Sequence, residues 1–296
     1  MNYIHWNPPT DIINLGFFAI RWYGMLWGIG LIGATYIVAR LFKEYKIADS
    51  KFASLFVYVF FGVLLGARLG HCLLYEPSYF FGSFKHFVEM FLPIRFLSDG
   101  GWRYTGYAGL ASHGGVIGLL IALYLYCRQM KMEYLFVLDC IGFAAPFTAM
   151  AIRLGNLMNS EIIGKATDVP WAFVFTHVDP LPRHPAQLYE AIFYAIVFCL
   201  GVLLYKKRKE KTIIGSGFFF SYCLTLVFTF RFFVEFIKEV QVDFEHQLAL
   251  DMGQILSLPL VAIGLYFMWK AQHKLANTSK PLLSPKSIAN IAYSYP

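Results

Sequence analysis

The sequence predicts an all-α polytopic membrane protein with about seven transmembrane helices, and two observations carry that prediction. Of its 296 residues 58% are hydrophobic and only 15% charged, with a mean hydropathy of +0.54. Ordinary soluble domains run at about 45–50% apolar and about 25% charged. The apolar residues also gather into stretches near the length a bilayer demands, roughly 20 residues for a hydrocarbon core about 30 Å thick.

Taken in order, the spans are 17–39, 52–75, 112–127, 134–157, 187–205, 213–237 and 252–270. The N-terminal "MNYIHWNPPTDIINLGFF" lacks the basic n-region of a signal peptide, so the first span reads as a retained helix. The third reaches full length only if its glycine-rich start, "SHGGVIG", is included. Between the second and third spans, residues 76–111 place Phe84, Phe87 and Phe91 at helical spacing. That segment reads as an amphipathic arm lying in the membrane interface, or equally as a packed cap on the helices. Residues 1–271 form one transmembrane domain, and 272–296 read as a flexible cytoplasmic tail. The five cysteines lie in apolar stretches with no CxxC spacing and read as buried, reduced core residues.

Orientation follows from the basic residues. "KKRKEK" (206–211) holds five in six and marks a cytoplasmic loop. The N-terminus is then outside and the C-terminus inside, with fifteen Lys and Arg in cytoplasmic segments against six in outer loops. The net charge of +7 is explained by this asymmetry and calls for no nucleic-acid partner.

Four arginines remain within spans: Arg21, Arg68, Arg153 and Arg231. A charge at bilayer depth costs at least about 2.5 kcal/mol, so it has a partner or a task. At about 1.5 Å of rise per residue, Arg68, Arg153 and Arg231 reach one outer layer from three helices. His113 lies at the mouth of the third span, Tyr23 about two turns into the first, and Asn156 one turn beyond Arg153. Each has a plainer reading: a snorkelling arginine, a structural histidine, an aromatic-belt tyrosine, an Arg231–Glu235 pair at i,i+4, glycines that let helices pack closely. Clustered guanidinium groups nonetheless match phosphate, and histidine is suited to proton transfer near neutral pH. No G-x-S-x-G elbow and no H-E-x-x-H occurs, which disfavours a serine hydrolase and a zinc hydrolase. What remains is an enzyme with a substrate nucleophile and a phospholipid donor, a transporter or flippase for an anionic lipid, or a scaffold binding signal peptides.

Seven stretches decide among these: "IRWYG" (20–24), "GARLG" (66–70), "SHGGVIG" (112–118), "RLGNLMNSEIIG" (153–164), "RHPAQLYE" (183–190), "FRFFVEF" (230–236) and "MGQILSLP" (252–259). In this order on seven spans, they resemble the bacterial prolipoprotein diacylglyceryl transferases. The resemblance implies transfer of sn-1,2-diacylglyceryl from phosphatidylglycerol to the lipobox cysteine beside a prolipoprotein's signal peptide. The products are a thioether and glycerol phosphate, with no metal or organic cofactor, in the first step of lipoprotein maturation. It implies a multi-pass protein of the bacterial inner membrane whose catalytic domain, within 1–271, opens towards the extracytoplasmic side.

The matching positions make His113, Arg153, Arg231 and Tyr23 the candidate catalytic residues. Arg153, Asn156, Gly164, Arg231, Arg68 and Glu235 are the candidate substrate-binding residues. His113 either activates the thiol or orients a headgroup. Three positions depart from the family pattern: Ile152 stands where glycine is usual, "NSEII" replaces "NGE-x-W", and Lys238 stands where arginine is common.

Overall fold

The computed structural model describes residues 3–15, 19–97, 100–105, 109–208, 214–239 and 250–277. Among them, six helices are long and apolar enough to cross a membrane, and a seventh apolar helix is shorter. In chain order the elements begin with strands β1 (Ile4–Trp6), β2 (Asp11–Asn14) and β3 (Ala19–Arg21), then helices α1 (Trp22–Glu44), α2 (Asp49–Leu74), α3 (Pro77–Phe80) and α4 (Phe84–Glu89). Strands β4 (Ile94–Phe96) and β5 (Trp102–Tyr104) lead to α5 (Ser112–Met130) and α6 (Tyr134–Met158). Then come β6 (Phe173–Phe175), β7 (Pro182–Arg183), α7 (Ala186–Arg208), α8 (Phe218–Val234), one 3-10 turn (Glu235–Ile237) and α9 (Met252–Asn277).

Several span boundaries differ from the expectation, and three of the differences have a local cause. The first helix starts at Trp22 because Ala19–Arg21 pairs antiparallel with Asp11–Asn14, which satisfies its backbone outside a helix. The sixth starts at Phe218 because Gly215 and Gly217 take φ of 93° and 86°, which no continuous helix accommodates. The last continues to Asn277 through "AQHKLAN", a run mostly of good helix formers. The remainder of the predicted tail, 278–296, lies outside the described residues, as do 209–211 of the basic loop.

The described residues divide into two compact units, 3–44 with 135–277, and 45–134. In the first, β1 pairs parallel with β6, and β6 antiparallel with β7. The Trp6 indole donates to the Leu157 carbonyl at 2.8 Å, so this small sheet holds the end of α6. Leu157, Ile163, Phe173 and Phe175 form the apolar cluster beneath it. Asp139, fully buried on α6, accepts N–H groups from Gly215 and Gly217 at 2.8 Å and from Phe220 at 3.0 Å. A carboxylate from another helix thus caps the start of α8 and satisfies donors that its own chain leaves unpaired.

In the second unit, α2 and α5 meet along a glycine seam. A Cβ on Gly66 would overlap the Gly114 carbonyl and stand 2.7 Å from the Gly118 Cα, so the two backbones touch. The glycines of "SHGGVIG" serve that close packing. The segment 76–111 is folded rather than one long arm. Its aromatic helix is α4, six residues long, and β4 and β5 pair antiparallel after it.

Large apolar side chains face outward on most spans: Ile32 is 72% exposed, Leu203 61% and Trp269 60%. With the length of the helices, such surfaces suit a bilayer. Two of the five cysteines depart from the expected burial: Cys72, Cys127 and Cys140 are buried, whereas Cys199 lies on an exposed face and Cys223 is half-buried.

Candidate active site

The end of α6, the beginning of α7 and the end of α8 together build a buried ionic cluster in the first unit. Arg153, five residues before the end of α6, places its Nε 3.0 Å from Glu190 Oε2. Its Nη1 donates to Asn156 Oδ1 at 3.2 Å, one helical turn onward. Asn156 Nδ2 in turn donates to Glu161 Oε2 at 3.2 Å, which fixes the amide and so the plane of the guanidinium. Glu190 is fully buried, and its Oε1 accepts the Tyr194 hydroxyl at 3.1 Å. Its Oε2 also faces Lys238 Nζ at 3.3 Å, and that ammonium sits 2.7 Å from Glu235 Oε2. Arg231 Nη2 stands 3.8 Å from Glu235 Oε1.

Three cations therefore share two buried carboxylates, Arg153–Glu190–Lys238–Glu235–Arg231. The Arg231 contact is longer than a hydrogen bond, and its side chain is 34% exposed where Arg153 is 13% and Lys238 3% exposed. The surplus positive charge thus emerges at Arg231, with a guanidinium fork suited to a planar or tetrahedral anion. The partner that a charge at this depth calls for is, for Arg153, first of all Glu190. Glu190 and Tyr194 are not among the residues expected at the site, although an acid inside an apolar span is itself a signal.

Beside the ions lies a groove of about 470 Å³, lined by Tyr189, Ile192, Phe193, Phe230, Phe233 and Ile237 among others, and almost wholly apolar. Tyr189 and Phe193 flank Glu190 on α7, and Phe230 precedes Arg231 on α8. Phe193 and Phe230 stack with centroids 4.0 Å apart and planes 6° off parallel, which closes one side of the groove. Its one hydroxyl, on Tyr189, accepts from Trp171 Nε1 at 2.8 Å and reaches His184 Nδ1 at 3.2 Å. Burial holds the His184 imidazole below its ordinary value, which favours the neutral ring.

The remaining candidates fall as follows. Gly164 bridges Lys238 by backbone pairing and donates its N–H to the His184 carbonyl at 2.9 Å. A Cβ there would stand 2.5 Å from His184 Cβ and 2.6 Å from its carbonyl oxygen. Its part is to let three chain segments converge under Lys238. Arg183 ties those segments further, pairing with Asp179 at 2.6 Å and Glu239 at 2.7 Å. Tyr23, in the first turn of α1, packs its ring over Gly155, the residue before Asn156 and two after Arg153.

Arg68 belongs to the second unit and is turned to that unit's own backbone. It donates to the carbonyls of Glu89 at 2.9 Å, Met90 at 3.2 Å and Gly109 at 3.4 Å, over the Phe80 ring at 5.1 Å. It anchors the 76–111 segment, a task the depth argument could not separate from phosphate binding. Glu89, 2% exposed, completes that anchor by accepting the Tyr79 hydroxyl and the Phe96 N–H. His113 stands in the first turn of α5 in the same unit, and its side chain lies outside the described residues.

The sequence family described as prolipoprotein diacylglyceryl transferase matches residues 10–270. A Bacteroides fragilis protein named phosphatidylglycerol–prolipoprotein diacylglyceryl transferase is 58% identical over 266 residues, covering 90% of this chain and 94% of its own. Proteins of the same name from Chloroherpeton thalassium and Porphyromonas gingivalis are 40% and 39% identical over 285 residues. Those alignments span 94% and 91% of this chain and 98% and 95% of the relatives.

Proposed function

The chain belongs to the prolipoprotein diacylglyceryl transferase family, and from that premise we propose that Arg153 and Arg231 jointly hold the phosphate of the donor lipid. The protein is a multi-pass membrane transferase that moves diacylglyceryl from phosphatidylglycerol to prolipoprotein. The observation that carries the site assignment is the ionic cluster with its surplus cation, set directly against an apolar groove. A phospholipid has that duality, an anionic headgroup on apolar chains. A groove of about 470 Å³ lies within the usual range for a small ligand.

The lipobox cysteine sulfur attacks the glycerol carbon bonded to the phosphate oxygen. A carbon–sulfur bond forms, the carbon–oxygen bond breaks, and glycerol phosphate leaves with the electron pair. Negative charge on the leaving oxygens grows as the bond breaks, and preorganised guanidinium groups stabilise it most where water is scarce. Asn156 keeps Arg153 in register, Glu190 keeps its charge from collapsing onto a neighbouring carbonyl, and Tyr23 hydrogen-bonds the headgroup. His113 takes the thiol proton or orients the headgroup. The thiol's ordinary value near 8.5 makes either a base or a positive field useful.

The basic residues support an N-terminus outside, a cytoplasmic C-terminus with its tail from 272 on, and a site that faces the extracytoplasmic side of the inner membrane. Purified protein incubated with phosphatidylglycerol and a lipobox peptide tests the chemistry. The peptide is expected to gain the mass of one diacylglyceryl group, and its Cys→Ser version none. A product carrying phosphate would overturn the assigned bond cleavage.

A further inference from the structure

Of the seven stretches that carry the family likeness, "MGQILSLP" alone contributes no residue to the ionic cluster or to the other candidate positions. Its place in the fold is nonetheless close to the cluster. The chain enters α9 through a capping box: Asp251 Oδ1 accepts the Gln254 N–H at 2.9 Å, and Gln254 Oε1 accepts the Asp251 N–H at 3.2 Å. Gln254 Nε2 also donates to the Phe232 carbonyl at 3.4 Å, so the first turn of α9 is fastened to α8.

Gly253 lies between those two fixed points. A Cβ there would overlap Glu235 Oε1 and stand 2.5 Å from its Cδ and 3.0 Å from its Cγ. The backbone at Gly253 is not in the left-handed region, so its conformation does not call for glycine. The missing Cβ supplies room, and the room is occupied by a carboxylate. Glu235 has little freedom to give way, since it is 9% exposed and gripped by Lys238, itself 4% exposed.

We infer that Gly253 is a positioning residue for the transfer reaction. By leaving space for the Glu235 carboxylate it sets where Lys238 and Arg231 stand, and hence the spacing of Arg231 from Arg153. This rests on the reading of those arginines as the phosphate site. It predicts that a single added methyl group, on a helix that itself touches no phosphate, loosens the grip on the donor lipid.

Four proteins test it: the unaltered chain, Gly253→Ala, Glu235→Ala and the double variant. Gly253→Ala is expected to raise KM for phosphatidylglycerol at least fivefold while KM for the lipobox peptide stays within twofold. It is also expected to lower Tm of the lipid-free protein. In the Glu235→Ala background the same change meets no carboxylate, so Tm is expected to hold or rise, as alanine suits a helix better than glycine. An equal fall of Tm in both backgrounds, or an unchanged KM for phosphatidylglycerol, would overturn the inference. If Gly253→Ala does not accumulate in membranes, the double variant is expected to do so, and the loss of both would overturn it too. Failure of the phosphate reading looks different: Arg231→Ala would then keep its KM for phosphatidylglycerol while the Tm cycle still showed the collision.

Discussion

Removing the carboxylate of Glu190 would leave Arg153 without its ionic partner, and Lys238 and Arg231 with Glu235 alone between them, in a largely buried region. Breaking a buried pair on one side costs about 3–5 kcal/mol, because the remaining charge keeps its desolvation penalty. Glu190→Gln is therefore expected to lower Tm strongly, and Lys238→Met added to it to recover part of the loss, measured by thermal unfolding in one detergent. The Asp179–Arg183 pair gives a pH signature. Arg183 holds the Asp179 carboxyl below its usual range, so its contribution is present above about pH 4 and is lost as pH falls through the depressed folded value. Asp179→Asn is expected to lower Tm at pH 7, with the gap to the unaltered protein closing below about pH 4. At this scale the sequence showed the cations, because a guanidinium in an apolar run is conspicuous. It hid their partners: Glu190 meets Arg153 only through the packing of α6 and α7 ends, which no local periodicity encodes. Arg68 shows the converse, a cation at the right depth whose donors are turned to the carbonyls of Glu89, Met90 and Gly109.

Helices here are located by single groups at their ends and seams. Asp139 takes three N–H groups at the start of α8, the helix that carries Arg231 near its other end. Asp139→Asn puts an amide donor against those donors and is expected to cost about 1–3 kcal/mol, seen as a lower Tm. The glycines separate into two kinds by what surrounds them. Gly66→Ala would drive a methyl into the Gly114 backbone and is expected to destabilise, whereas Gly28 on α1 has nothing within 4 Å of an added Cβ. Gly28→Ala is expected to hold or raise Tm, by up to about 1 kcal/mol of helix propensity. The seven spans were legible because long apolar runs are governed by bilayer thickness. The strands were not, since β1 has three residues, too few for a period, and finds its partner β6 far along the chain. The start of α8 was misplaced for a related reason, as apolar "II" continues the run while the following glycines end the helix.

The molecule as a whole answers to two solvents at once. Outward-facing leucine, isoleucine and phenylalanine on the spans match lipid, while the ions of the first unit's cluster are buried except for the half-exposed Arg231. On the proposed reading, this adjacency of an apolar groove to a fixed cation lets a donor lipid bind without leaving the bilayer, which spares the cost of bringing its chains through water. Turnover of phosphatidylglycerol by Arg153→Ala, Arg231→Ala and the double variant, at equal protein levels, probes that adjacency most directly. Each single change is expected to lose at least about tenfold in rate, since a charge-assisted contact contributes roughly 1.5–3 kcal/mol. Because both groups hold one phosphate, the double variant is expected to lose less than the product of the two single losses. Near-normal turnover in either single variant, or strictly multiplicative losses in the double, would contradict a phosphate shared between them.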